Sequence, residues 1–224
     1  MTTYFGFLPS DQLKTKIEEI QHIIENNIKT DYYPHRDEVT KLIAHELIDN
    51  LLNDLVTLIQ DPERKHRLEK VVKTVHGTVD TLLGSILSKQ SNDKVIDSYH
   101  FMVNHSLFTD NDEQMRVGYE LPHEDAQLIN DNFSKIQTAI TQAKRPHTYL
   151  QNASETIINA TLHHYLHDFG QTLHLGLLKR GAIPIAETAI SKSAQIAIHK
   201  IMPDMPQTAT ERLYHHYQQL IVQK

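Results

Sequence analysis

The sequence predicts an all-α fold of about eight helices. Three observations carry this. Apolar residues recur with a 3.6-residue period in every long segment. Glycine (7) and proline (8) are few among 224 residues, and tryptophan is absent. One stretch, residues 156–178, TIINATLHHYLHDFGQTLHLGLL, reads as the middle of a long helix with a single formal charge, Asp168. A helix with so little charge is covered on more than one face. The helices are expected in two antiparallel bundles or one continuous orthogonal bundle, with 146–181 at the centre.

In chain order, residues 1–9 hold Tyr4, Phe5, Phe7 and Leu8 before Pro9 and read as an apolar strap over a groove of the bundle. Ser10 suits the N-cap of a first helix to about residue 29, with Leu13, Ile17, Ile20 and Ile24 on one face. A turn at 31–34 precedes a second helix over 36–60, whose apolar arc runs from Val39 to Leu58. His45 and Asp49 lie one turn apart on its polar side. Asp61 as N-cap and Pro62 at the first helical position open a third helix to about residue 89. Ser91 opens a fourth, to about 107. Residues 108–121 break the pattern. Asp110 to Glu113 resemble a calcium loop only superficially, because the ligand alternation, the glycine and the terminal glutamate are missing. Residues 115–121 read as a short extended piece. This break divides an N-terminal half, 1–107, from a C-terminal half, 122–224, although one continuous domain would also accommodate it. The fifth helix spans 122–144 and the sixth begins at Pro146. The seventh begins at Pro184 with Glu187 in its first turn, and the last spans 208–222.

On the sixth helix, Ile158, Leu162, Leu166, Phe169, Leu173 and Leu177 form one apolar stripe. His163, His167 and His174 form a second beside it, with Ala153, Ala160 and Leu178 on the same side. Thr161, Asp168, Thr172 and Lys179 form a side ready for water. Lys179 and Arg180 suit the negative end of the helix dipole, and Gly181 suits a left-handed C-terminal position.

Composition narrows the function. The net charge is −6 without a long basic run, which argues against general nucleic-acid binding. With no cysteine, disulfides, thiolate zinc sites and cysteine nucleophiles are excluded. No signal-peptide pattern opens the chain and the central helix is too polar to span a bilayer, so a cytoplasmic protein without membrane attachment is the expectation. Sixteen histidines would move the net charge from −6 to +10 if all were protonated (−6 + 16), which reverses its sign just below neutral pH.

His163 and His167, four residues apart, share a helix face, the spacing by which one helix supplies two nitrogen ligands to a transition metal. His174 continues the stripe two turns on. A buried stripe of this kind needs partners, either hydrogen bonds to carbonyls and hydroxyls or a divalent metal. The string Leu166-His167-Asp168-Phe169-Gly170 resembles the His-Asp motif of HD-domain metal-dependent phosphohydrolases, which are also all-α. The resemblance implies His167 and Asp168 as metal ligands, with His147 or His123 as an earlier ligand. It departs from that family at Gln171, where lysine is common, and the sole later aspartate is Asp204. No glycine-rich phosphate loop, serine elbow or arginine cluster for phosphoryl transfer is present. The leading expectation is a non-catalytic helical protein that acts through protein contacts, including a homodimer, and needs no cofactor. The alternative is a metal-dependent hydrolase centred on His163, His167 and Asp168.

Overall fold

The computed structural model describes residues 2–224, and at position 54 the backbone alone. Helix α1 (Asp11–Glu25) opens at Ser10, whose Oγ accepts from the Leu13 amide at 3.2 Å. Helix α2 (Tyr33–Ile48) runs without interruption into a π-helical turn, Asp49–Asn53, and then α3 (Asp54–Leu58). Asp61 caps α4 (Pro62–Ile86) by accepting from the Arg64 amide at 2.8 Å. Helices α5 (Asn92–His105) and α6 (His123–Thr141) follow. The sixth expected helix is α7 (His147–Leu162), a π turn over His163–Asp168, and α8 (Phe169–Thr172). A short α9 (Leu177–Arg180) precedes α10 (Ala182–Ile196), which ends in a further π turn, Ala197–Ile201. Helix α11 (Gln207–Leu220) is last. The fold is mainly α, as the periodicity implies, with 74% of the chain helical. No helix among the described residues is long and apolar enough to cross a membrane.

The periodicity gives little warning of a small antiparallel sheet. Strands β1 (Thr3–Phe7), β2 (Leu107–Thr109), β3 (Met115–Glu120) and β4 (Ile221–Gln223) pair in the order β2-β3-β1-β4. The expected strap is therefore an inner strand, with Phe5 and Phe7 buried and β1 paired on both sides. Residues 221 and 222 leave the last helix to join it, and the two chain ends meet through Thr2 and Lys224. Gly6 and Gly118 face each other across β1 and β3; a Cβ on Gly118 would come within 2.0 Å of the Phe5 carbonyl oxygen. The acidic segment at 110–113 is a turn closed by its own side chain. Asp110 accepts from the amides of Asp112 and Gln114 and from Arg116 Nε at 2.6 Å, and the guanidinium holds its carboxyl below the usual range.

The central helix ends earlier than its sequence pattern. His174 adopts a left-handed conformation, φ 49°, and the chain leaves the helix over 173–176. Gly181, expected as the left-handed terminus, has φ −63° and leads directly into α10. Leu177 and Leu178, expected on the core side and flank of the helix, are 89% and 96% exposed.

Candidate functional site

Helix α7 is buried on two faces, but one of them differs from the expected pair. Leu150, Ala153, Ser154, Ile157, Thr161 and His164 turn toward the sheet and the helices behind it, and all are buried. Thr161 Oγ1 lies 2.8 Å from Tyr119 Oη on β3, and His164 Nε2 lies 2.9 Å from Ser106 Oγ at the end of α5. The His164 ring stacks on Tyr119, centroids 4.5 Å apart. Polarity alone assigns Thr161 to the water-facing side, yet a hydrogen bond removes the cost of burying its hydroxyl. Ile158, Leu162, Leu166 and Phe169, the expected apolar stripe, form the other inner face.

That second face borders a cavity of about 130 Å³ among α1, α2, α4, α5, α7, α8 and α10. Its walls are mainly aliphatic: Ile43 and Leu47 from α2, Val79 and Leu82 from α4, Met102 from α5, and Ala194 from α10. Two of the π turns contribute to it, the first through Leu51 and Leu52, the second through Tyr165 and Leu166. A π turn takes an extra residue and re-aims the side chains that follow, and such turns recur at functional sites.

Polar groups at the wall are few, and most are already paired. Arg36 binds Asp37 and Gln90 and donates to the Ser88 carbonyl at 3.0 Å. Ser98 Oγ donates to the Val95 carbonyl at 2.8 Å. Tyr165 is different. Its hydroxyl is buried and no protein atom hydrogen-bonds to it, the one such side-chain atom among the described residues. Burial pushes its pKa up, so it is a neutral phenol at physiological pH.

Could Ser106 and His164 act as a nucleophile and base? Burial, with smaller contributions from His105 and His163, pushes the His164 pKa down to about 3. A ring so reluctant to take a proton is a weak base near neutral pH, and the pair reads as a hydrogen-bonded bridge between α5 and the π turn that continues α7.

The residues singled out from the sequence lie elsewhere. His163 and His167 stack at 5.4 Å on the outer side of the π turn, with side chains 68% and 40% exposed. On an unbroken α-helix Asp168 would fall in line with Ile157 and Thr161. The extra residue of the π turn rotates it by about 100°, and it lies 3.6 Å from His163. His167 meets Glu187 of α10 at 3.2 Å. His174 is beyond the helix and pairs with Asp97 of α5 at 2.6 Å. The expected burial of this histidine stripe is thus corrected: its rings meet carboxylates near the surface, and His164 is the buried one.

The resemblance-based partners are dispersed. His147 is buried at the far end of α7 against the Met205 carbonyl, 20 residues from His167 and thus roughly 30 Å along the helix. His123 begins α6 in solvent, and Asp204 pairs with Arg64 at 3.5 Å. Among the described residues no group of three or more histidines and carboxylates is arranged to hold a metal ion. Tyr165 has no sequence signal beyond its place in a nearly uncharged helix. Comparison with protein families, with curated proteins and with solved structures finds no match.

Proposed function

We propose that this chain is a non-catalytic binding protein whose cavity holds a small, largely apolar molecule. The observation that carries the reading is the cavity itself, bordered by seven helices and re-aimed side chains from two π turns. At roughly 24 cal/mol per Å³, a sealed void of 130 Å³ would cost about 3 kcal/mol, an upper bound for this partly open cavity. The unpaired Tyr165 hydroxyl adds about 1–3 kcal/mol. Natural domains have about 5–15 kcal/mol of net stability, so a ligand that offsets both costs gives the arrangement a use.

Toluene tests this reading. At a hundredfold excess over its Kd it should raise the melting temperature by about 5 °C or more, because it binds the native state alone. Ala194→Phe, which fills the cavity from α10, should abolish the shift. No shift with toluene, cyclohexane or their one-carbon homologues would sink the reading.

A second reading, association with a protein partner or a second copy, is favoured by one feature. Leu177, Leu178 and Ile185 stand exposed at the corner between α9 and α10. Large aliphatic side chains grouped on a surface mark contact sites.

A further inference from the structure

We infer that the ligand is an uncharged molecule of ring size bearing one hydrogen-bond acceptor, a ketone, aldehyde or ester carbonyl, which the Tyr165 hydroxyl anchors. This rests on the cavity being a binding site and adds the chemistry of its occupant.

Size comes first. A cavity of 130 Å³ is close to the engineered apolar cavity of about 150 Å³ that takes up benzene. That limits the occupant to on the order of six to eight non-hydrogen atoms. Long acyl chains exceed it.

Charge comes next. An ion in an apolar cavity needs a counter-charge or several hydrogen bonds. The guanidinium at the wall, Arg36, is already committed to Asp37, Gln90 and the Ser88 carbonyl. Ser98 is bound to the Val95 carbonyl, Ser106 to His164 and Thr161 to Tyr119. Tyr99 donates to Glu25, so a carboxylate or an amine entering here would meet no uncommitted counter-charge and at most the Thr40 and Tyr165 hydroxyls. A neutral molecule needs no counter-charge.

The polarity of the anchor decides the rest. A phenol is a stronger donor than an aliphatic alcohol and a weaker acceptor, because its oxygen lone pair is delocalised into the ring. Tyr165 is held between neighbours that fix its ring: His164 and Tyr119 meet it edge-on, with centroids 4.7 and 6.0 Å away. Its hydroxyl is buried and has no protein partner, and the residue lines the cavity. A carbonyl oxygen on an otherwise apolar ring satisfies that donor while the ring meets the aliphatic wall.

A matched pair of probes tests the assignment. Cyclohexanone and methylenecyclohexane have nearly the same shape and differ in the acceptor. Their affinities are measured by calorimetric titration for the wild-type protein and for Tyr165→Phe. The ketone-to-alkene affinity ratio should be about five- to tenfold higher in the wild type, the value of one hydrogen bond. The infrared carbonyl stretch of bound cyclohexanone should lie lower in the wild type than in the variant. An unchanged ratio with an unchanged stretch overturns the inference. It means that water, or nothing, serves the hydroxyl. If the alkene still binds both proteins in that case, the cavity reading stands alone. If neither probe binds either protein, the cavity reading fails too. Tyr165→Phe removes only an unpaired hydroxyl and is expected to fold. Should it not, the wild-type stretch against those in cyclohexane and in water decides, and a value equal to that in cyclohexane overturns the assignment.

Discussion

At the scale of single residues, His164 sets a measurable pH dependence. An unfolded histidine titrates near 6.5, whereas burial in the fold pushes His164 to about 3. Below about pH 6.5 the unfolded chain therefore binds a proton that the native state refuses. Stability from this residue is complete above that pH and is lost progressively as pH falls toward 3. Between about pH 7.5 and pH 5 the loss should be about 2 kcal/mol. The chain holds fifteen other histidines, so the informative quantity is a difference between variant and wild type. His164→Phe retains a ring to stack on Tyr119 and gives up the bond to Ser106, at a cost of about 1 kcal/mol near neutral pH. Its stability should fall less steeply with acid than that of the wild type in urea unfolding. Parallel pH profiles would show that His164 is not held neutral. Hydropathy does not single out His164, because it treats all sixteen histidines alike. Position on the helix could have found it: His164 is seven residues from Ile157 and fourteen from Leu150, on one inward line.

At the scale of elements, the sheet and the helices make opposite demands on glycine. Gly118 lies where two strand backbones approach too closely for a Cβ, which would meet the Phe5 carbonyl at 2.0 Å. Gly118→Ala must push β3 away from β1 and should cost on the order of 3 kcal/mol or more. Gly77 is exposed within α4, and a methyl group added there would meet nothing within 4 Å. Gly77→Ala should therefore stabilise the protein by about 0.5–1 kcal/mol, the helix-propensity difference. Chemical denaturation of the two variants checks this; two changes of the same sign would contradict the placement of one glycine. The long helices were legible because each repeats its apolar face several times. Of the strands, β3 matches the short extended piece read at 115–121, whereas β1 read as a strap and β2 and β4, of three residues each, are too short to show an alternation.

At the scale of the whole molecule, the sheet joins segments from the start, the middle and the end of the chain. Buried residues of β1 and β3 and of helices before and after residues 108–121 form one cluster, against which Leu107 of β2 and Ile221 of β4 pack. The same packing leaves Leu177, Leu178 and Ile185 outside. If this corner mediates self-association, sedimentation should show a concentration-dependent dimer, and Leu177→Asp with Leu178→Asp should return it to a monomer without loss of helical circular dichroism. A wild-type monomer at every concentration would remove the second reading.

Local sequence dictates the class of the fold, the helix starts at Ser10 and Asp61, and the two-sided burial of the central helix. All of these follow from capping or from a period repeated over many residues. Which side of that helix is second, where it ends and what lines the cavity were settled by tertiary packing. A wheel of 100° per residue assumes an unbroken α-helix. The π turn at His163–Asp168 breaks that assumption, and the chain leaves the helix at Leu173. Thr161 and His164 went inside because Tyr119 and Ser106, 42 and 58 residues away, offered hydrogen bonds. Tyr165 became notable because no group among the described residues did the same for its hydroxyl. Partners contributed by distant segments have no signature in the local sequence, and they decide which polar side chains a core can hold.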